Sequence, residues 1–206
     1  MGCMLEKIPS GVEGLDRLLG GGWPAGKVSI IYGPRSSLKT MICLATAKLF
    51  SSKGYISIYI ETEFKTGRDR ADGLYLRAPE VSQLLEQLIA IRSRLRFLNP
   101  RLVLVVIDSL TAPLHHLQLQ YPQYASEKAR SISHVARQIC SDGATILATS
   151  WMVEGGYTGR WLNPAVVLRT WKVDAERLLA VLEKSDGTLL GYEELRVEEV
   201  VEAAAV

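Results

Sequence analysis

The chain reads as an α/β domain with a mostly parallel central sheet, helices on its faces and antiparallel strands at its C-terminal end. Three observations predict it. Up to residue 149, short apolar runs alternate with longer segments of helical period. Two of those runs, residues 102–107 and 144–148, have almost no polar face, as strands buried on both sides do. Beyond residue 165 the helical period gives way to three β-rich runs. The last two are joined through Ser185, Asp186 and Gly187, the composition of a hairpin turn.

Residues 10–19 begin with a capping serine, Ser10, and place Val12, Leu15, Leu18 and Leu19 at helical spacing before three glycines end the helix. Residues 27–32 are β-branched and apolar and predict a buried strand. Residues 41–49 are apolar nearly all round, which predicts a helix packed on both sides. Residues 55–60 and 74–77 read as the second and third strands, and 79–98 as a long helix with apolar positions 81, 84, 85, 88, 91 and 95. Then follow strand 102–107, helix 126–142, strand 144–149 and antiparallel strands 166–173, 178–183 and 188–194. No repeat or linker interrupts them, so the 206 residues predict a single domain whose residues 191–206 form an acidic tail.

Composition narrows the class. With 48% hydrophobic residues the chain can bury a core without disulfides. No apolar run approaches the roughly 20 residues of a membrane span, and no charged-then-apolar leader opens the chain, so a cytoplasmic protein is expected. Cys3, Cys43 and Cys140 lack metal-ligand spacing and read as reduced thiols. The tail carries −4. Removing it from the chain's +2 leaves +6 on residues 1–190, a mildly basic body compatible with nucleic acid.

The chemistry concentrates at strand ends. Gly33, Pro34, Arg35, Ser36, Ser37, Leu38, Lys39 and Thr40 lie between a buried strand and a buried helix and approach the phosphate-loop pattern G-x-x-x-x-G-K-[ST]. In that pattern backbone N–H groups at a helix N-terminus wrap phosphates, the lysine reaches the β- and γ-phosphates, and the hydroxyl of Thr40 sits on magnesium. Leu38 replaces the second glycine, where backbone must approach phosphate closely. Either the loop shifts and ATP binds weakly, or the site has decayed. Asp108 ends the 102–107 strand, where a carboxylate can hold the water shell of Mg2+. Glu61 and Glu63 end the neighbouring strand. By the period of two they point to one side, and either could polarise an attacking water.

With these motifs the chain resembles the RecA/RadA recombinase family, and within it the core-only, RadB-like archaeal paralogues. The resemblance runs from about Ile8 to about Glu194 and rests on three segments. Residues 8–22 (IPSGVEGLDRLLGGG) are similar to the family's entry segment, which clock-protein-type ATPases share. Tyr59-Ile60-Glu61-Thr62-Glu63 is similar to the strand carrying the catalytic glutamate, which maps onto Glu63. Asp108-Ser109-Leu110-Thr111 matches the family's Walker-B ending. The resemblance implies a RecA-like P-loop NTPase core that binds ATP and Mg2+ through residues 33–40 and Asp108.

The departures from the family matter as well. Trp151 stands where the family usually carries a glutamine that senses the γ-phosphate, and an indole has one donor and no acceptor. The loop 152–163 is shorter than in filament-forming members. No F-x-x-A segment precedes the core, since Phe50, Phe64 and Phe97 have other followers.

Two surfaces invite nucleic acid. Trp151, Tyr157, Arg160 and Trp161, with glycines 155, 156 and 159, suit single-stranded DNA, because bases stack on aromatics while cations meet phosphate. The alternative is that the tryptophans are core or partner-facing. Residues 115–124 occupy the position of a second DNA-proximal loop. Arg92, Arg94, Arg96 and Arg101 read as a solvated face near a helix C-terminus. The expectation is an ATP-binding accessory factor in homologous recombination, at most a slow ATPase, acting on single-stranded DNA or a RadA-type recombinase. The alternative is a pseudo-ATPase subunit that docks on an active paralogue.

Overall fold

The computed structural model describes residues 6–63, 73–153 and 156–205, with the side chain of His116 excepted. Cys3, Phe64 and Gly155, named above, lie outside the described residues. In chain order the elements are β1 (Lys7–Ile8), α1 (Glu13–Leu18), β2 (Trp23–Pro24), β3 (Val28–Gly33), α2 (Lys39–Ser52), β4 (Ile56–Glu61) and β5 (Leu74–Arg77). They continue with α3 (Val81–Leu95), β6 (Val103–Asp108), α4 (Thr111–Gln120), α5 (Pro122–Ser141), β7 (Thr145–Val153) and β8 (Gly156–Tyr157). The last are β9 (Val166–Lys172), β10 (Arg177–Glu183), β11 (Leu189–Arg196) and α6 (Val197–Ala205).

The main sheet is mixed, in the order β11-β10-β9-β3-β7-β6-β4-β5. From β9 to β5 every neighbouring pair is parallel, and β9, β10 and β11 form an antiparallel meander at one edge. The all-apolar strands follow from helices on both faces. Ile30, Val105 and Ile146 face a core shared with α3 and α5, while Ile31, Val106 and Leu147 face one shared with α1, α2 and α6. Successive residues point to opposite faces, so a strand covered twice needs apolar residues at both parities.

Several expectations are corrected. Ser10 does not cap the first helix. Its hydroxyl closes a turn with Val12, accepting from the Val12 N–H at 3.1 Å, and α1 begins at Glu13. Residues 115–120 are not loop but lie in α4. Pro113 hid that helix, yet it is the third residue, where no intrahelical N–H partner is needed. In the same way α5 starts at Pro122, four residues before the expected start. β7 runs on to Val153, so Trp151 and Met152 are strand residues and not loop. Residues 191–205 of the acidic tail are built into the sheet and a helix. Arg196 ends β11, and α6 buries Val200 and Ala204 in the core it shares with α2.

Candidate functional site

Strands β3, β4, β6 and β7 all deliver their carboxyl ends to one cavity of about 500 Å³, lined by residues 35–41, Glu63, Asp108, Ser109, Thr149 and Trp151. That size lies within the usual range for small-molecule sites. The loop from β3 to α2 forms one wall. A Cβ on Gly33 would collide with the Thr170 carbonyl oxygen and with Ser37 Oγ, so only glycine fits beside β9. Ser37 Oγ donates to the Pro34 carbonyl at 2.9 Å and shares a hydrogen bond with Thr170 Oγ1 at 3.0 Å.

Leu38 has φ 58° and ψ 16°, the left-handed conformation that glycine adopts without cost, and Ser36 shares it at φ 61°. The loop keeps a glycine's backbone while carrying a leucine. Two terms decide how that is tolerated. The left-handed conformation costs about 1–2 kcal/mol for a residue with a Cβ. Leu38 is half-buried against the core that includes α2, and part of the ~1.5–3 kcal/mol of a fully buried leucine offsets that cost.

Lys39 Nζ donates to the carbonyl oxygens of Gly33 (3.0 Å) and Pro34 (2.6 Å), bracing the loop from within. Thr40 Oγ1 donates to Asp108 Oδ2 at 2.9 Å. Asp108 is 2% exposed and also accepts from Tyr59 Oη at 2.9 Å and Thr149 Oγ1 at 2.5 Å. Burial, and then the Asp108 carboxylate, push the Tyr59 hydroxyl well above its ordinary pKa, so Tyr59 stays a donor. Sequence reasoning missed Tyr59 and Thr149. Their signal was a polar atom on a strand that pairs with β6.

Glu61 and Glu63 part company. Glu61 is buried, pairs with Arg77 at 3.4 Å and accepts a hydrogen bond from Tyr75, both on β5. Glu63 lies past the end of β4, where the strand period no longer applies, and lines the cavity. Its Oε1 accepts from Ser109 Oγ at 2.7 Å and from Trp151 Nε1 at 2.8 Å. Of the two glutamates, Glu63 is the one that lines the cavity.

The four residues expected on a nucleic-acid loop do not share one surface. Trp151 lines the cavity, with the Arg35 guanidinium carbon 5.6 Å and the His115 ring 5.5 Å from its ring centroid. Tyr157 is 6% exposed and packs on Tyr32 with ring centroids 4.9 Å apart. Trp161 packs against the core beside α5, and Arg160 is exposed, 5.5 Å from the Tyr157 ring. Of the arginine run, Arg92 pairs with Asp142 at 3.5 Å and Arg96 lies 4.7 Å from the Phe97 ring centroid. They border a separate cavity of about 490 Å³ on α3, away from the carboxyl ends of the strands. Among the described residues no cluster of His, Cys, Asp and Glu has metal-site geometry, and no helix is long and apolar enough to cross a membrane.

The donor set fits a magnesium nucleotide. Mg2+ favours oxygen ligands and keeps several waters, and the Thr40 hydroxyl and Asp108 carboxylate already meet at 2.9 Å. An ammonium group and the first turn of α2 face the same cavity, and Leu38 at the N-cap offers no side-chain oxygen to satisfy that turn's N–H groups.

Residues 2–146 match the RecA N-terminal domain family. The chain is similar to Protein RecA of Gloeobacter violaceus, 27% identical over 145 residues, which are 66% of this chain and 38% of that protein. It is also similar to DNA repair and recombination protein RadB of Halobacterium salinarum, 34% identical over 116 residues, 50% of this chain and 49% of that one. A third relative is the RadB protein of Methanococcoides burtonii, 32% identical over 123 residues and 54% of each chain. The matches span between 38% and 54% of these relatives' lengths. Relatives of both kinds match at comparable identity, so the likeness reaches the family and does not single out the RadB branch.

Proposed function

This chain belongs to the RecA family, and from that premise we propose that it is an accessory factor in homologous recombination and DNA repair, a RadA paralogue that binds Mg-ATP in the cytoplasm. The observation that carries the reading is the left-handed backbone at Leu38. It keeps the 33–40 loop in a glycine-like path, with Lys39, Thr40 and Asp108 on one cavity. Lys39, which braces the loop carbonyls, would hold phosphate with its ammonium, and the first-turn N–H groups of α2 would bind phosphate. Thr40 and Asp108 would hold Mg2+, which would supply charge neutralisation at the phosphates. Glu63 orients the attacking water. Single-stranded DNA or a RadA-type recombinase is the proposed partner, with exposed Arg160 as a phosphate contact.

A second reading, a pseudo-ATPase subunit docked on an active paralogue, is favoured by one observation: the Glu63 carboxylate already accepts from Trp151. Calorimetry of Mg-ATP binding separates the two. Saturable binding is expected, lost in Lys39→Ala, together with about 2.7 kcal/mol of added stability at a hundredfold excess over the dissociation constant. No binding at millimolar Mg-ATP by a folded protein would overturn the first reading and leave the second.

A further inference from the structure

We propose that Trp151 is a positioning residue that latches Glu63 and holds bound nucleotide unhydrolysed. The inference rests on the nucleotide-binding reading above and adds that turnover at this site is slow because Glu63 is held.

Trp151 sits on β7 in register with Gly33, the first residue of the phosphate-loop segment. Its backbone N–H donates to Thr111 Oγ1 at 3.0 Å, which fixes the residue from the α4 side. From there the indole reaches Glu63 beyond the end of β4, two strands away, because β6 lies between β7 and β4. Ser109, just past the end of β6, donates to the same carboxylate oxygen. The Arg35 guanidinium and the His115 ring flank the indole at 5.6 and 5.5 Å from its centroid. The latch is thus built from β4, β6 and β7 together with the 33–40 loop.

The chemistry explains its effect. In hydrolysis Glu63 takes a proton from a water whose oxygen bonds to the terminal phosphorus as the bond to the ADP oxygen breaks. The products are ADP and inorganic phosphate, and Glu63 returns the proton to solvent. A carboxylate in that role must accept from the water. Trp151 Nε1–H fills an acceptor position on Oε1 and offers no acceptor of its own, so the indole can hold Glu63 but cannot help to seat the water.

The test compares wild type with Trp151→Phe, which keeps an aromatic ring and removes the donor, and with Trp151→Leu as a second replacement. Mg-ATP binding is measured by calorimetry and turnover by phosphate release. Expected is Mg-ATP affinity within about threefold of wild type and, on the scale of general-base catalysis, a rise in kcat of about tenfold or more with KM little changed. Adding Glu63→Gln to Trp151→Phe should return kcat to the wild-type level, which a merely structural role for Trp151 does not predict. Intact binding with unchanged kcat in both variants overturns the latch and leaves the nucleotide reading standing. Absence of Mg-ATP binding in wild type and variants alike overturns both.

Discussion

At the scale of single residues, Leu38 shows why a motif is a statement about backbone before it is one about side chains. A glycine is expected in that position because the chain turns left-handed there, and the structure keeps the turn with a leucine in it. The two opposing terms, conformational cost and partial burial, are each about 1–2 kcal/mol. Leu38→Gly removes both and should change stability by less than about 1 kcal/mol. Leu38→Ala keeps the cost and loses the contact, so it should destabilise by about 1 kcal/mol. Urea unfolding of the two variants checks the order. A glycine variant less stable than the alanine one would mean that the loop is not strained. Asp108 illustrates the opposite case, a carboxylate legible from its place after an apolar strand. Its three hydroxyl donors were not legible, because Thr40, Tyr59 and Thr149 lie on three different elements.

At the scale of elements, one cluster joins the antiparallel meander to the parallel sheet. Tyr32 on β3 donates to Glu183 Oε2 on β10 at 2.7 Å, and Arg169 on β9 pairs with Glu183 Oε1 at 3.3 Å. Glu183 is 7% exposed. Arg169 is partly in water, so the Tyr32 hydroxyl has most to lose. Glu183→Ala leaves it without this acceptor and should cost about 2 kcal/mol, while Glu183→Gln retains an acceptor and should cost less. Chemical unfolding measures both, and equal losses would show that the carboxylate's charge beside Arg169, not an acceptor for Tyr32, holds the meander. The helices teach a parallel lesson. α4 has no apolar stripe of helical period and carries a proline, so a loop was the natural expectation there. α6 was masked by its six acidic and small side chains out of nine residues, although Val200 and Ala204 face α2.

For the whole molecule, the mixed sheet buries polar protons that water would otherwise titrate. Burial pushes the Cys140 thiol from 9.0 up to about 12. Burial and then the hydrogen bond to Glu61 push Tyr75 from 10.0 to about 12. Tyr32 and Tyr59 are raised for the same first reason. The sign follows from linkage. Each raised group binds its proton more tightly in the folded state, so its contribution is complete below the unfolded value and is lost as pH climbs through the folded one. Stability should therefore hold from neutral pH to about pH 9 and fall between about 9 and 12. Thermal melts across that range, with tyrosinate absorbance followed alongside, check it. Ionisation of all the tyrosines near pH 10 without unfolding would contradict the burial.

The sequence by itself determined the α/β class, the alternation of strand and helix, and the places where strands end in chemistry: the 33–40 loop, Glu63 and Asp108. These are local properties, set by the period of apolar residues and by which polar residue follows an apolar run. Only the tertiary structure decided which side chains meet. It separated Glu63 from Glu61, moved Trp151 from a supposed DNA loop into the cavity, and buried Tyr157 against Tyr32. Those outcomes depend on strand order and on the lateral register of β4, β6 and β7, and no spacing along the chain encodes them. A strand pattern says which face a residue takes, but what stands on the neighbouring strand is settled only when the sheet assembles.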